Sequence, residues 1–181
     1  MKMREKMSDT GFKMMQCTMK LVDLIHPHIP QQVASFGVKE GMTVIDYGCG
    51  PGRYTEEFAR LVGTGGKVLA VDLVEIALDE TQKRVARHGY QNVLTYLAQG
   101  YESGVPARIA DIVFAIDMFH YIQDPPEFLG ELCRIAKDDG VLILSGGHES
   151  RATMKQKLAQ SPVWEIEEEK KEFVRCRKTV Q

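Results

Sequence analysis

The segment Asp46-Tyr47-Gly48-Cys49-Gly50-Pro51-Gly52 sets three glycines at alternate positions directly behind an acid. A turn stripped of side chains in this way lets a ligand lie against bare backbone. A second acid, Asp72, ends the apolar run Val68-Leu69-Ala70-Val71, 20 residues beyond Gly52. That distance fits one helix and a turn returning the chain to the same sheet edge, where a carboxylate can accept hydrogen bonds from a ribose. The order strand, glycine loop, helix, strand, acid reads as a site for a nucleoside cofactor. It does not by itself say which one.

Groups that could move a proton sit further along. Asp117 and His120 follow the fourth apolar run, in Asp117-Met118-Phe119-His120-Tyr121, and His148 follows the fifth, in Gly146-Gly147-His148. His120 is the first candidate for a base, set against the plain alternative of a histidine packing at a helix start. For His148 the plain alternative is a solvated loop. His26 and His28 flank Pro27 in a helix-ending turn, and His88 precedes Gly89 at a helix C-terminus, where positive charge is favourable. The four cysteines, Cys17, Cys49, Cys133 and Cys176, are too scattered for a disulfide framework or a zinc site. No metal is expected, and the chain reads as reduced and cytoplasmic. Cys49 reads as a small side chain tolerated in the turn rather than a nucleophile.

These groups need elements to hold them. From Gly41 onward short apolar runs alternate with amphipathic stretches: strand 43–46, helix 54–61, strand 67–72, helix 74–88, strand 93–97, strand 111–116. Asp124-Pro125-Pro126-Glu127 supplies a cap, a proline at the first helical position and a glutamate three residues past the cap, opening a helix to Ala136. Asp138-Asp139-Gly140 turns into strand 141–144, and a helix follows near Ser150–Ala159. Continuous apolar strands between helices predict a parallel sheet covered on both faces, an α/β Rossmann-like doubly wound fold. The last two runs, at Val163–Ile166 and Phe173–Cys176, leave no room for a crossover helix and predict a hairpin, with Glu165–Lys171 as a solvated turn. Residues 1–40 form a helical segment of the same domain, and 41–181 the ligand-binding part. Asp9–His26 reads as an amphipathic helix, Met-rich enough for an adaptable lid, with plain packing on the sheet as the alternative.

At 181 residues and 44% apolar content the chain fits one globular domain, and a formal charge of −2 gives no field attractive to nucleic acid or anionic lipid. No apolar run approaches a membrane span, and the first ten residues lack the apolar core of a signal peptide. A small-molecule partner and a monomer or homodimer are expected.

The glycine spacing, G-x-G-x-G, misses the dinucleotide fingerprint G-x-G-x-x-G by one position. Here the sequence resembles the class I S-adenosylmethionine-dependent methyltransferases, and is similar to the small ubiquinone/menaquinone-biosynthesis-like methylases among them. The resemblance rests on Val44–Gly52, on Val68–Asp72, on Asp111–His120 and on Leu132–Val141, in that order and with matching gaps. It implies a seven-stranded sheet with the last strand reversed, S-adenosyl-L-methionine as cofactor and S-adenosyl-L-homocysteine as product. By the same resemblance the turn from Gly48 through Cys49 and Gly50 to Gly52 passes under the methionine part, with Asp46 near it. Asp72 takes the ribose hydroxyls and Leu73 lies against adenine. Asp117 and Met118 line the methyl-donor end, and Tyr47 and Tyr101 cover the cofactor. Where many relatives carry an acid after the third strand this chain has Gly100, leaving adenine to Gln99, Glu102 or the Tyr101 backbone. The alternatives are a protein of the same fold that binds the cofactor without transferring a methyl group and, less favoured, a nicotinamide-dependent reductase.

Overall fold

The computed structural model describes Gly11 and residues 29–179. The helix expected over Asp9–His26, with its lid role, lies outside the described residues except for Gly11. The first full element is α1 (Ile29–Ala34), followed by β1 (Thr43–Tyr47), α2 (Arg53–Val62), β2 (Lys67–Asp72) and α3 (Glu75–Arg87). Then come β3 (Val93–Leu97), β4 (Ala110–Ala115), a 3-10 turn at Phe119–Tyr121, α4 (Pro125–Ile135) and β5 (Ala136–Leu144). The chain closes with α5 (Arg151–Leu158), β6 (Trp164–Glu169) and β7 (Val174–Lys178).

The seven strands make one sheet in the order β3-β2-β1-β4-β5-β7-β6. All pairs are parallel except β5 with β7 and β7 with β6, so the last strand is the reversed one. Alternate residues of each inner strand serve opposite faces, as the pleat requires. Val44, Val68, Ile112, Phe114 and Ile143 pack under Ile29, Val33 and Phe36 and against Phe58 of α2. Ile45, Leu69, Val113 and Leu142 pack under Phe128, Leu132, Met154 and Leu158 of α4 and α5. Phe58 stacks on Phe114 with ring centroids 4.2 Å apart, and Phe36 approaches Phe114 at 5.0 Å.

The local signals operate as their chemistry dictates. The Asp124 carboxylate accepts from the Glu127 N–H at 3.1 Å, and Ser150 Oγ accepts from the Thr153 N–H at 3.1 Å, capping α4 and α5. Helix α4 ends one residue early because Ala136 already pairs with Ala110 as the first residue of β5. The acidic run is the larger departure. Glu167 to Glu169 extend β6 rather than forming a turn, with a bulge between Ile166 and Glu168. Across the pair, Glu165 meets Arg177 at 2.8 Å and Glu167 meets Arg175 at 3.2 Å. On an edge strand such charges are compatible with extended structure, because one rim of the strand faces water.

Candidate functional site

The carboxyl ends of β1, β2, β4 and β5 present Asp46, Asp72, Asp117 and Ser145 along one edge of the sheet. Strand order reverses between β1 and β4, the place where open α/β sheets leave a crevice. The glycine turn leaves β1 at this point. Gly48 and Cys49 both donate to the Val71 carbonyl, at 2.8 and 3.1 Å, which ties the turn to β2. Asp72 clasps it from the other side: Oδ2 accepts from the Gly50 N–H and Oδ1 from the Val74 N–H, each at 2.9 Å. Burial raises the Asp72 carboxyl above its ordinary range, and the backbone donors pull against that rise.

Helix α3 holds the turn from outside. Thr81 Oγ1 donates to the Gly50 carbonyl at 3.0 Å, and Arg84 Nε to the Pro51 carbonyl at 2.9 Å. Gly52 sits at φ 75°, and a Cβ there would lie 2.8 Å from Thr81 Oγ1 and 3.0 Å from its Cα. The last glycine of the turn therefore permits close helix packing as well as the left-handed backbone. It precedes α2, whose N-terminus has no side-chain cap. Uncapped N–H groups of this kind favour an anionic ligand group.

Asp46 lies beneath the turn, 4% exposed, and accepts from Thr55 Oγ1 at 2.6 Å. Burial pushes its carboxyl up to about 6; the Thr55 bond pulls it down and the negative charge of Asp72 adds to the rise. Cys49 Sγ lies 3.7 Å from Thr81 Oγ1, and burial pushes its thiol well above the ordinary range, which suits a packing role. Met118 lies over Gly48, and Leu73 packs partly buried on the larger core.

Tyr47 and Tyr101 spend their hydroxyls inside the protein. Tyr47 Oη donates to the Tyr101 carbonyl at 2.7 Å. Tyr101 Oη accepts from the N–H groups of Gln123 and Asp124, at 3.2 and 3.1 Å, fastening the loop after β3 to the start of α4. Gly100 occupies the tip of a tight turn closed by Gln99 and Glu102, at φ 64°, with open space where a Cβ would be.

The proton-transfer candidates form a second group. Asp117 sits at φ 57°. Ser145 Oγ accepts its N–H at 2.8 Å and donates to its Oδ1 at 3.2 Å. The rings of His120 and His148 approach edge to face at 4.9 Å, and His120 lies 3.9 Å from the Tyr121 ring. A Cβ on Gly147 would come within 2.9 Å of His120 Cε1 and nearer still to Nδ1, so glycine is what lets the ring lie there. Burial lowers the affinity of His120 for a proton; His148 and Lys157 act in the same direction, against Glu149 and Asp117. Four buried side-chain polar atoms among the described residues have no hydrogen-bond partner. Three of them, Nδ1 and Nε2 of His120 and Oε2 of Glu149, belong to this group. Lys157 braces it, donating to the Phe119 carbonyl at 2.6 Å and to Glu149 Oε1 at 2.8 Å.

Beside this group opens a cleft of about 880 Å³, running from Asp117 and Ser145 at the strand ends to Lys170 and Lys171 at the β6–β7 turn. Among the described residues no group of three His, Cys, Asp or Glu side chains could hold a metal ion. Sequence reasoning missed Thr55, Thr81, Arg84 and Ser145. For the two threonines a signal existed: each is a hydroxyl in the buried stripe of its helix, Thr55 with Phe58, Ala59 and Val62, and Thr81 with Ala77, Leu78 and Val85.

Residues 38–179 match a family model described as a methyltransferase domain. A nocamycin O-methyltransferase of Saccharothrix syringae is 28% identical over 127 residues, 70% of this chain and 41% of that protein. A ubiquinone/menaquinone biosynthesis C-methyltransferase of Hahella chejuensis is 28% identical over 109 residues, 60% of this chain and 44% of that protein. The chain thus spans less than half the length of these curated relatives. The crystal structure of an S-adenosylmethionine-dependent methyltransferase from Aquifex aeolicus matches with a TM-score of 0.72 at 26% identity, covering 87% of this chain and 94% of that one.

Proposed function

The chain belongs to the methyltransferase domain family, and on that premise we propose that it transfers a methyl group from S-adenosyl-L-methionine to a small-molecule acceptor, leaving S-adenosyl-L-homocysteine. The observation that carries this reading is the Gly48–Gly52 turn clasped by Asp72 beside an uncapped helix N-terminus. Each Asp72 oxygen holds one backbone N–H and keeps capacity for a second donor, so the ribose hydroxyls can be taken without dismantling the turn. The open backbone from Gly48 to Gly52 and the buried Asp46 would receive the methionine part, Leu73 the adenine, and Asp117 with Met118 the methyl-donor end. Gly100, with space at its Cβ, leaves adenine recognition to Gln99, Glu102 and the neighbouring backbone.

When bound, the cofactor supplies an activated sulfonium methyl group. What the chain must add is mostly alignment, which can supply roughly 7–11 kcal/mol of a barrier. A base adds about 10²–10⁴-fold where the acceptor carries a proton. Asp117, His120 and His148 are the groups for that role, and burial favours the neutral form of His120.

The same reading places the protein in the cytoplasm as a monomer or homodimer, with no nucleic-acid or membrane partner. In support, the formal charge is −2, Cys49, Cys133 and Cys176 are free thiols, and no helix among the described residues is long and apolar enough to cross a membrane. Ile29, Val33 and Phe36 are part of the core, which supports including residues 29–40 in the same domain. Calorimetric titration tests the cofactor: S-adenosylhomocysteine is expected to bind and NAD(H) not to. Tighter binding of NAD(H) would sink the reading.

A further inference from the structure

The cleft at the strand ends has a character of its own. Of its apolar members, Met154 and Phe173 are 1% and 4% exposed and offer little surface, while the half-buried Tyr54 adds an aromatic face whose hydroxyl donates to Gln32 Oε1 at 2.8 Å. The other side chains along it are polar or charged, among them Gln32, Asp117, Glu149, Arg151, Lys170 and Lys171; Arg151 is already bonded to carbonyls of the β6–β7 turn and Glu149 to Lys157. An apolar occupant would strip water from these groups and return no hydrogen bonds. A molecule with its own donors and acceptors would replace that water.

The inner end is also shaped for a particular kind of contact. Asp117 is held in a left-handed backbone conformation, uncommon outside glycine, and Ser145 fixes it through both its N–H and Oδ1. Ser145 is itself 4% exposed. A carboxylate so fixed, at the boundary between the glycine-turn site and the cleft, accepts hydrogen bonds and cannot donate them when ionised.

We infer that the cleft takes a hydrophilic acceptor whose nucleophile is a hydroxyl or amine, presented to Asp117 in the position that Ser145 fixes. The inference rests on the methyl-transfer reading and adds the class of acceptor to it. In the reaction the nucleophile's lone pair forms the bond to the methyl carbon of a sulfonium donor. The carbon–sulfur bond breaks with its electron pair staying on sulfur, and the proton of the hydroxyl or amine passes to the Asp117 carboxylate and on to water. Ser145 is a positioning residue.

The test supplies the protein with methyl-labelled S-adenosylmethionine and a total cell metabolite extract, partitioned beforehand into aqueous and organic fractions. Label is expected in products of the aqueous fraction, and mass spectrometry separates O-methyl from N-methyl products. The aqueous fraction is also expected to raise the Tm of the complex with S-adenosylhomocysteine, a readout independent of turnover. Label confined to the organic fraction, or to carbon, would overturn the acceptor class while leaving methyl transfer intact. Label in neither, with S-adenosylhomocysteine bound, counts against methyl transfer and this inference together. S145A is expected to lower labelling at least tenfold with S-adenosylhomocysteine affinity changed less than threefold, and S145T to restore it. Equal loss of both in S145A, or no loss of labelling, would remove the positioning role.

Discussion

Asp46→Asn should make the protein more stable while impairing its use of the cofactor. In the folded chain the Asp46 carboxyl is pushed from 3.8 up to about 6, chiefly by burial. A pKa raised on folding means that the folded state holds its proton more tightly than the unfolded state. The associated stability is complete below pH 3.8, falls as pH rises, and is gone above about 6. The difference of about two units, at 1.36 kcal/mol each, amounts to about 3 kcal/mol at pH 7.5 and roughly half of that at pH 5. An asparagine never ionises and its amide oxygen can still accept from Thr55, so the variant escapes this penalty. For a chain of this size about 3 kcal/mol corresponds to roughly 6–12 °C in Tm. Thermal melts of wild type and variant at pH 7.5 and pH 5 measure the difference, and the contributions of titrating groups remote from Asp46 cancel. A variant that melts lower than wild type at pH 7.5, or a gap that does not shrink at pH 5, would refute the reasoning. Calorimetry should show S-adenosylhomocysteine binding weakened in the same variant.

Three further outcomes are expected. Asp72→Ala removes the acceptor of two backbone N–H groups and the proposed ribose contact, and should weaken S-adenosylhomocysteine binding by about 1–3 kcal/mol in a calorimetric titration; unchanged affinity would count against the ribose role. Gly52→Ala sets a Cβ 2.8 Å from Thr81 Oγ1 at a positive φ and should cost about 1–3 kcal/mol of stability in urea denaturation, a loss that Thr81→Ala relieves only in part because Thr81 Cα is 3.0 Å away. Tyr101→Phe removes the acceptor for the Gln123 and Asp124 N–H groups and should lower stability by about 1 kcal/mol, with faster amide exchange at those two positions.

The sheet was legible in the sequence because its inner strands, such as Val68–Val71, are short apolar runs with no competing helical spacing. The glycine turn and Asp72 were legible for a related reason: bare backbone and a strand-end acid leave a mark in residue type and spacing. The braces were not. Thr81 and Arg84 reach the turn from α3, and Ser145 reaches Asp117 across 28 positions, through contacts that no local pattern records. Nor did any such pattern record that the Tyr101 hydroxyl fastens the loop after β3 to the start of α4. The run Glu165–Lys171 was misread because charge density usually marks a turn, and an edge strand with arginines opposite is its less common home.

The reversed strand also makes the sheet depend on a distant segment of the chain. The sequence of the parallel strands β1, β2, β4 and β5 is complete at Leu144, yet the outer partner of β5 begins only at Val174, 30 residues later. Without β7, β5 would present an open rim beside Leu142, Ile143 and Leu144, side chains that are fully buried in the complete sheet. An apolar strand with unpaired backbone groups is a template for pairing with another chain. The hairpin therefore seals the rim of β5, and a chain truncated before Val174 would leave that rim open to aggregation.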